Sequence, residues 1–164
     1  MRKSIVSPNP ATKTPIGDTW RDLERIARVE ITSEDTAFPI ESALGKKVTT
    51  GWRAATTGPQ VIRLLFDEPQ TIRRILLHFI ERTADRSQEF AVYVQPQGVG
   101  PHSDLHEVVR QQWNFSPHGT TEEIEDFNVE LTGITMLELR IDPDRSHDPA
   151  LSQSYASLQS LKLA

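Results

Sequence analysis

Hydrophobic and polar residues alternate along several stretches of the chain, most clearly over residues 60–66. In this segment Gln60, Ile62, Leu64 and Phe66 fall on one face of an extended chain, and Val61, Arg63 and Leu65 fall on the other. The acidic, proline-containing segment 67–70 then predicts a turn, and a second strand follows over residues 72–80. We therefore expect residues 60–80 to form a hairpin on which the rest of the chain packs.

Six further segments have the spacing of strands. They lie at residues 27–32, 90–95, 109–115, 127–131, 137–141 and 158–163. Helical spacing is confined to a short stretch at residues 20–26, so an α/β fold with helices between its strands is disfavoured. The predicted fold is all-β: an antiparallel eight-stranded β-sandwich, or jelly roll, with less than about a tenth of its residues in helix.

The inward positions of these strands predict the core. It comprises Ile62, Leu64, Phe66, Ile75, Leu77, Phe79, Phe90, Val92, Phe127, Val129, Leu137 and Leu139. Residues 1–17 contain three prolines and little apolar pattern. They predict an N-terminal arm or tail, followed by a single jelly-roll domain over residues 18–164.

The longer loops are expected to meet at one end of the sandwich. If each strand crosses the sandwich once, loops 33–59, 81–88, 116–122 and 142–155 lie together, and both termini lie at the opposite end. We call the end that carries these four loops the loop pole. Loops on a rigid scaffold commonly carry binding residues. The alternative is that these few long loops meet at one end by chance. Segment 33–59 contains several large apolar residues, so we expect it to be ordered and partly packed.

The composition excludes some classes of function. A formal net charge of −5 over 164 residues argues against a general nucleic-acid binder. No segment approaches the length of a membrane span, so no membrane partner is predicted. The absence of cysteine excludes disulfides and fits a reducing compartment, and we expect a cytoplasmic protein. No zinc-protease motif, phosphate-binding loop or nucleophile elbow suggests an enzyme.

A succession of short motifs resembles the discoidin-type, galactose-binding-domain-like family, which includes the coagulation factor type C domains. The motifs are Ser33, Pro39, Ala43-Leu44-Gly45, Thr50-Gly51-Trp52, Gln60-x-Ile62-x-Leu64-x-Phe66, a turn at Pro69, Ile72-x-x-Ile75 and the closing Ala156-x-Leu158-x-x-Leu161. The resemblance covers most of the chain from about residue 27 onward. It implies an eight-stranded jelly roll whose ligand-binding loops lie opposite the termini.

The candidate site residues lie in the loops of the loop pole. They are Trp52, Arg53, Glu81, Arg82, Asp85, Arg86, Asn114 and His118. An exposed tryptophan can stack on the apolar face of a sugar, and Trp52 is a better candidate than Trp113 because it lies in a loop. Arginines at positions 82 and 86 could donate paired hydrogen bonds to hydroxyl groups or a carboxylate. The alternatives are core packing for the tryptophan and a solvated loop with internal ion pairs for the arginines.

These features predict a non-catalytic binding module that recognises carbohydrate or a similar polar ligand. The second hypothesis is a protein-interaction module within a larger assembly, and the weakest is an enzyme with an unrecognised site. An exposed aromatic ring beside arginines would favour sugar, whereas a flat apolar patch would favour a protein partner. A deep pocket with converging groups of perturbed pKa would favour an enzyme.

No cofactor or metal is predicted. Many domains of the resembled family hold a structural calcium, which needs several oxygen ligands. In this chain Gly45 directly follows Leu44, so the aspartate of the family's Ala-Leu-Asp-Gly motif is missing, and Gln159 and Ser160 replace the glutamate of the closing strand. A chelator should therefore leave the melting temperature unchanged. A large drop on chelation would show that other oxygens, such as those of Asp35 and Glu41, bind calcium.

Overall fold

The computed structural model describes residues 20–47, 50–98, 105–146 and 153–164. The predicted arm at residues 1–17 lies outside the described residues, as do the middle parts of the predicted loops 96–106 and 142–155. The elements in chain order are α1 (Leu23–Ile26), β1 (Ala27–Ile31), α2 (Glu41–Leu44), β2 (Trp52–Thr57), β3 (Gln60–Ile80), β4 (Arg86–Pro96), β5 (His106–Phe115), β6 (Glu122–Asp142), β7 (Tyr155–Leu158) and β8 (Ser160–Leu163). The all-β prediction is confirmed. Among the described residues no helix is long enough to span a membrane.

The two longest strands, β3 and β6, have 21 residues each and pair antiparallel over most of their length. Residues 60–65 face residues 136–141, and residues 74–80 face residues 122–128. The predicted hairpin is therefore wrong, because its two strands are successive halves of β3 and both pair with β6. The predicted strands at 127–131 and 137–141 are likewise halves of β6. Register shifts between Leu65 and Arg74 let both strands bend together while they stay paired with each other.

The bent pair of β3 and β6 belongs to both layers of the sandwich. Its first layer contains the sheet order β1-β3-β6-β4-β5, and in the second layer β8 pairs with residues 75–78 of β3. Phe79, near the end of β3, stacks on Phe90 of β4 with ring centroids 5.2 Å apart. This contact places the end of β3 opposite the first layer. Strands β2 and β7 form a separate two-stranded sheet.

Ten of the twelve predicted core residues are buried, and Phe127 and Val129 are only partly buried. Both belong to the first half of β6, which pairs with β3 on one side and with no other described strand on the other. An edge strand leaves its inward side chains near solvent, which explains the difference.

The predicted loop 33–59 is ordered and partly packed over its described residues, but it also contains β2, which the alternation did not predict. Strand β4 begins at Arg86, earlier than predicted, so the preceding loop shrinks to residues 81–85. The predicted last strand is divided into β7 and β8 at Gln159.

A charged cluster is buried beneath the loop pole. The guanidinium of Arg86 is inside the protein, with 4% of the residue exposed. Its Nε lies 2.8 Å from Glu81 Oε1, and its Nη1 donates to Gln88 Oε1 at 3.0 Å and to the carbonyl of Pro143 at 2.8 Å. Gln88 Nε2 in turn donates to Glu123 Oε2 at 3.2 Å. The cluster therefore fixes loop 81–85 to the start of β4 and to the segment after β6.

The carboxyl of Glu123 is the least favourable member of this cluster. Burial raises its pKa to about 7, and repulsion from Glu125 adds to the rise, while the hydrogen bond from Gln88 and the charge of Arg86 lower it. Its Oε1 is buried without a hydrogen-bond partner. Because the folded protein holds this proton more tightly than the unfolded chain does, stability falls as the pH rises from the ordinary pKa of a glutamate toward 7.

The core assignment predicts a large cost for removing the ring of Phe79. Phe79→Ala is expected to lower the free energy of unfolding by roughly 3–5 kcal/mol, because the ring is fully buried and leaves a cavity. Ile124→Ala is the control, since Ile124 is 60% exposed, and it should cost less than about 1 kcal/mol. Urea denaturation measures both values. Similar losses for the two variants would contradict the proposed core.

The buried glutamate predicts a stabilising substitution whose effect depends on pH. Glu123→Gln should raise the free energy of unfolding by roughly 2–3 kcal/mol at about pH 8, where the wild-type carboxylate is charged. The gain should vanish near about pH 4.5, where the wild-type carboxyl is neutral. Glu122→Gln at the exposed neighbouring position is the control. Urea denaturation across this pH range would refute the explanation if the gain did not change with pH.

Candidate functional site

Hydrogen bonds between backbone groups join the loops of the loop pole. The amide of Glu81 donates to the carbonyl of Thr121 at 2.8 Å, which links loop 81–85 to the β5–β6 loop. The amide of Arg145 donates to the carbonyl of Ser87 at 2.8 Å, which links the segment after β6 to the start of β4. On the other side, the amide of Gly58 donates to the carbonyl of Ser154 at 3.3 Å. Four chain segments that are distant in sequence therefore form one surface.

This surface carries a cleft of about 530 Å³. One wall consists of residues 80–84, and the facing wall combines segments from the 33–59 region with residues around β7. The lining includes the side chains of Phe38, Arg53, Glu81, Arg82, Gln153 and Tyr155. A second cleft of about 520 Å³ adjoins it, and Arg53 and Tyr155 line both. The volume of the first cleft suits a small ligand or one or two sugar units.

The guanidinium of Arg53 lies near two aromatic rings. Its guanidinium carbon lies 5.1 Å from the centroid of the Tyr155 ring and 6.0 Å from that of the Phe38 ring. The backbone of Arg53 is also fixed, because its amide donates to the carbonyl of Phe38 and its carbonyl accepts from the amide of Asp35. A guanidinium that lies over a ring keeps the N–H groups at its edges available for a ligand.

Tyr155 is the exposed aromatic residue of the site. It is 39% exposed, and the only other exposed large hydrophobic residue in the described part of the chain is Ile124. In β7, Tyr155 and Ser157 point outward while Ala156 and Leu158 are buried. This alternation places the ring of Tyr155 on the cleft side.

The opposite wall supplies the charged groups Glu81 and Arg82. Partial burial alone would raise the pKa of Glu81, but the hydrogen bond and charge of Arg86 and the backbone amides of Thr83 and Ala84 outweigh it and lower the pKa. Glu81 is therefore ionised at neutral pH, and its charge is balanced by Arg86 behind it. The side chain of Arg82 is exposed and makes no ion pair with any described residue.

Trp52 does not play the role that the sequence suggested. Its residue is 1% exposed, and its Nε1 donates to the carbonyl of Ser33 at 3.2 Å. The ring of Trp52 is therefore not available for stacking, and the prediction of an exposed stacking ring is wrong. The pairing of β2 with β7, which places Trp52 opposite Leu158, turns its side chain toward the core.

Arg86, which the sequence suggested as an exposed hydrogen-bond donor, is buried. Its guanidinium carbon lies 4.8 Å from the centroid of the Phe115 ring, inside the charged cluster described above. Strand β4 begins at Arg86, and the alternation of this strand points residues 86, 88 and 90 inward. The arginine therefore supports loop 81–85 from below and does not line the cleft.

The structure brings together half of the predicted site residues. Trp52, Arg53, Glu81 and Arg82 line the cleft, whereas Asp85, Arg86, Asn114 and His118 do not. Asp85 and His118 are exposed in neighbouring loops, and Asn114 is hydrogen-bonded to the hydroxyl of Ser87 on the outer face of the sheet.

Sequence reasoning missed Phe38, Gln153 and Tyr155. Their signal was their position in or beside the long loops assigned to the loop pole. Within the described residues, no group of three or more histidine or acidic side chains is arranged to hold a metal ion.

No family model and no curated protein matches this sequence. Solved structures do match it. The family 32 carbohydrate-binding module of Clostridium perfringens NanJ, in complex with galactose, is 14% identical, with a TM-score of 0.59 and 88% of this chain and 96% of that chain covered. The family 32 module of AlyQ, in complex with 4,5-unsaturated mannuronic acid, is 18% identical, with a TM-score of 0.57 and coverages of 85% and 95%.

A third similar structure is chitosan-binding module 1 of a chitosanase/glucanase from Paenibacillus sp. IK-5. It is 19% identical to this chain, with a TM-score of 0.59, and the match covers 88% of this chain and 98% of that module. These likenesses establish the fold that the sequence motifs implied. The chain has the discoidin-type, galactose-binding-domain-like jelly-roll fold of the family 32 carbohydrate-binding modules.

Proposed function

We propose that this chain is a non-catalytic carbohydrate-binding module whose ligand occupies the cleft at the loop pole. The observation that carries the proposal is an exposed tyrosine beside two arginines that form no ion pair with any described residue, in a cleft of about 530 Å³. Tyr155 offers a flat apolar surface for a sugar ring, and Arg53 and Arg82 offer directional hydrogen-bond donors for its polar groups. The similar structures named above supply a precedent for this ligand class on this fold.

The polar groups of the cleft suit a ligand with many hydroxyl groups. Gln153 can both donate and accept a hydrogen bond, and the hydroxyl of Thr83 can do the same. Because loop 81–85 is anchored to the buried cluster through Arg86, its side chains are held in place before a ligand arrives. Such preorganisation reduces the entropy lost on binding.

The absence of a paired acid argues for binding without catalysis. Most glycosidases use two carboxyl groups on either side of the scissile bond. Among the described residues that line the cleft, Glu81 is the only acidic one, and its carboxylate is engaged by Arg86. The buried carboxyl of Glu123, with its raised pKa, is not a lining residue.

The second hypothesis from the sequence, a protein-interaction module, has less support. It required a flat apolar patch, but Ile124 and Tyr155 are the only exposed large hydrophobic residues in the described parts of the chain. Two separate residues do not make a patch of the size expected for a stable partner.

The proposal predicts that Tyr155 contributes to glycan binding and little to folding. A glycan array on the purified protein identifies a ligand, and calorimetry then measures its affinity. Tyr155→Ala is expected to weaken binding by roughly 1–2 kcal/mol through lost stacking, and Tyr155→Phe should retain most of the affinity. Ile124→Ala, which removes the other exposed hydrophobic side chain, should bind like the wild type.

Melting temperatures of all three variants accompany the binding measurements, so that a loss of affinity is not confused with unfolding. An unchanged affinity in a folded Tyr155→Ala protein would remove this cleft from the proposal. Failure of the wild-type protein to bind any glycan would refute the proposed function itself.

A further inference from the structure

Arginines on the sheets of this protein are mostly paired with carboxylates. Arg63 lies 2.6 Å from Glu138, Arg74 lies 2.6 Å from Asp126, and Arg140 also contacts Glu138 at 2.6 Å. These ion pairs neutralise the outer faces of the sandwich. The pattern changes at the loop pole.

Neither Arg53 nor Arg82 has an acidic partner among the described residues, although both line the same cleft. Arg53 contacts aromatic rings only, and no described group accepts a hydrogen bond from its side chain. The one acidic residue of the described lining, Glu81, is balanced by Arg86. The described lining therefore carries a net charge of +1, from Arg53, Arg82 and Glu81, and Arg86 behind it offsets the charge of Glu81, in a protein whose formal net charge is −5.

The adjoining second cleft carries two acidic residues, Glu34 and Asp35, whose carboxylates accept hydrogen bonds from backbone amides. Glu34 Oε2 accepts from the amide of Ile40 at 2.7 Å, and Asp35 Oδ1 accepts from the amide of Ala37 at 2.9 Å. Neither carboxylate lies within ion-pair distance of Arg53. Their hydrogen bonds hold them in the local turn instead.

The similar structures do not decide the charge of the ligand. Their names record a neutral sugar, an acidic sugar and a polymer of amino sugars on the same fold. The side chains in the cleft of this chain must therefore decide it. Two arginines without acidic partners favour a ligand that brings its own anion.

We propose that the cleft selects carbohydrates that carry a carboxylate, such as uronic acids, and that Arg53 and Arg82 bind that carboxylate while Tyr155 contacts the sugar ring. This inference rests on the proposed carbohydrate-binding function and specifies its ligand class. A guanidinium suits the role because its parallel N–H groups match the two oxygens of a carboxylate. Cation–π contacts with Tyr155 and Phe38 help to hold that guanidinium, and no described group accepts a hydrogen bond from it.

The test compares each acidic sugar with its own methyl ester, which keeps the ring and removes the charge. The probes are oligosaccharides of galacturonate, glucuronate and mannuronate, their methyl esters, and neutral galacto-oligosaccharides. At least one acid is expected to bind roughly 10- to 100-fold more tightly than its ester, as for the loss of a charged hydrogen bond. Arg53→Gln and Arg82→Gln should each reduce that preference and leave the weaker binding of the ester nearly unchanged.

Arg73→Gln is the matched control. Arg73 is also exposed and lacks an acidic partner among the described residues, but its amide donates to the carbonyl of Ala164 near the bend of β3, away from the cleft. This variant should keep the full preference for the acid.

Equal binding of every acid and its ester, or binding of neutral sugars alone, would overturn the acidic specificity and leave the proposed function standing. Binding of no glycan at all would refute both. An acid preference that survives in folded Arg53→Gln and Arg82→Gln proteins would overturn the assignment of these two residues.

Discussion

The continuous pairing of β3 with β6 is the constraint on which the rest of the structure depends. Because the two strands bend together, their backbone hydrogen bonds continue from one layer into the other. The inward residues have even numbers before the bend, as at Ile62 and Leu64, and odd numbers after it, as at Ile75 and Leu77. The register shifts around residues 66–73 change this parity, so both halves bury their apolar faces. The same bend returns Ile80 to the end where β3 began, which places loop 81–85 against the 33–59 region.

The sequence predicted which face of each strand is buried better than it predicted how the strands are connected and paired. Strict alternation over residues 60–66 identified the buried face correctly, because side-chain direction follows local periodicity. The polar segment 67–70 predicted a turn that ends the strand, whereas β3 continues through these residues with shifts of register. A local signal cannot tell whether the chain returns beside itself or crosses to the other layer with its partner. That choice depends on β6, which lies more than fifty residues further along the chain.

The predicted site residues were assigned to loops that meet in the structure, but only four of the eight line the cleft. Burial is the reason for the difference, as the two arginines of loop 81–86 illustrate. Arg82 remains in solvent, whereas Arg86 is the first residue of β4 and shares its inward face with Gln88 and Phe90. Extending the alternation of β4 backward would have revealed this, but a charged residue is seldom assigned to a core. Tyr155 was missed for the opposite reason, since a single aromatic residue beside a loop has no distinctive pattern.

The residues that support loop 81–85 from inside the protein are different from the exposed residues that line the cleft. This separation explains how such a fold can accommodate ligands of different charge. Arg86 is held by Glu81, Gln88 and a backbone carbonyl, so its replacement disturbs the loop itself. Arg53 and Arg82 have no such partners among the described residues, so their charges can change at little cost in stability. The overall charge of −5 repels an anion at long range. At physiological ionic strength, however, charges farther apart than about 8 Å are largely screened, so the arginines that line the cleft determine the local potential there. For the proposed ligand, the charge of the cleft is therefore a better guide than the charge of the whole protein.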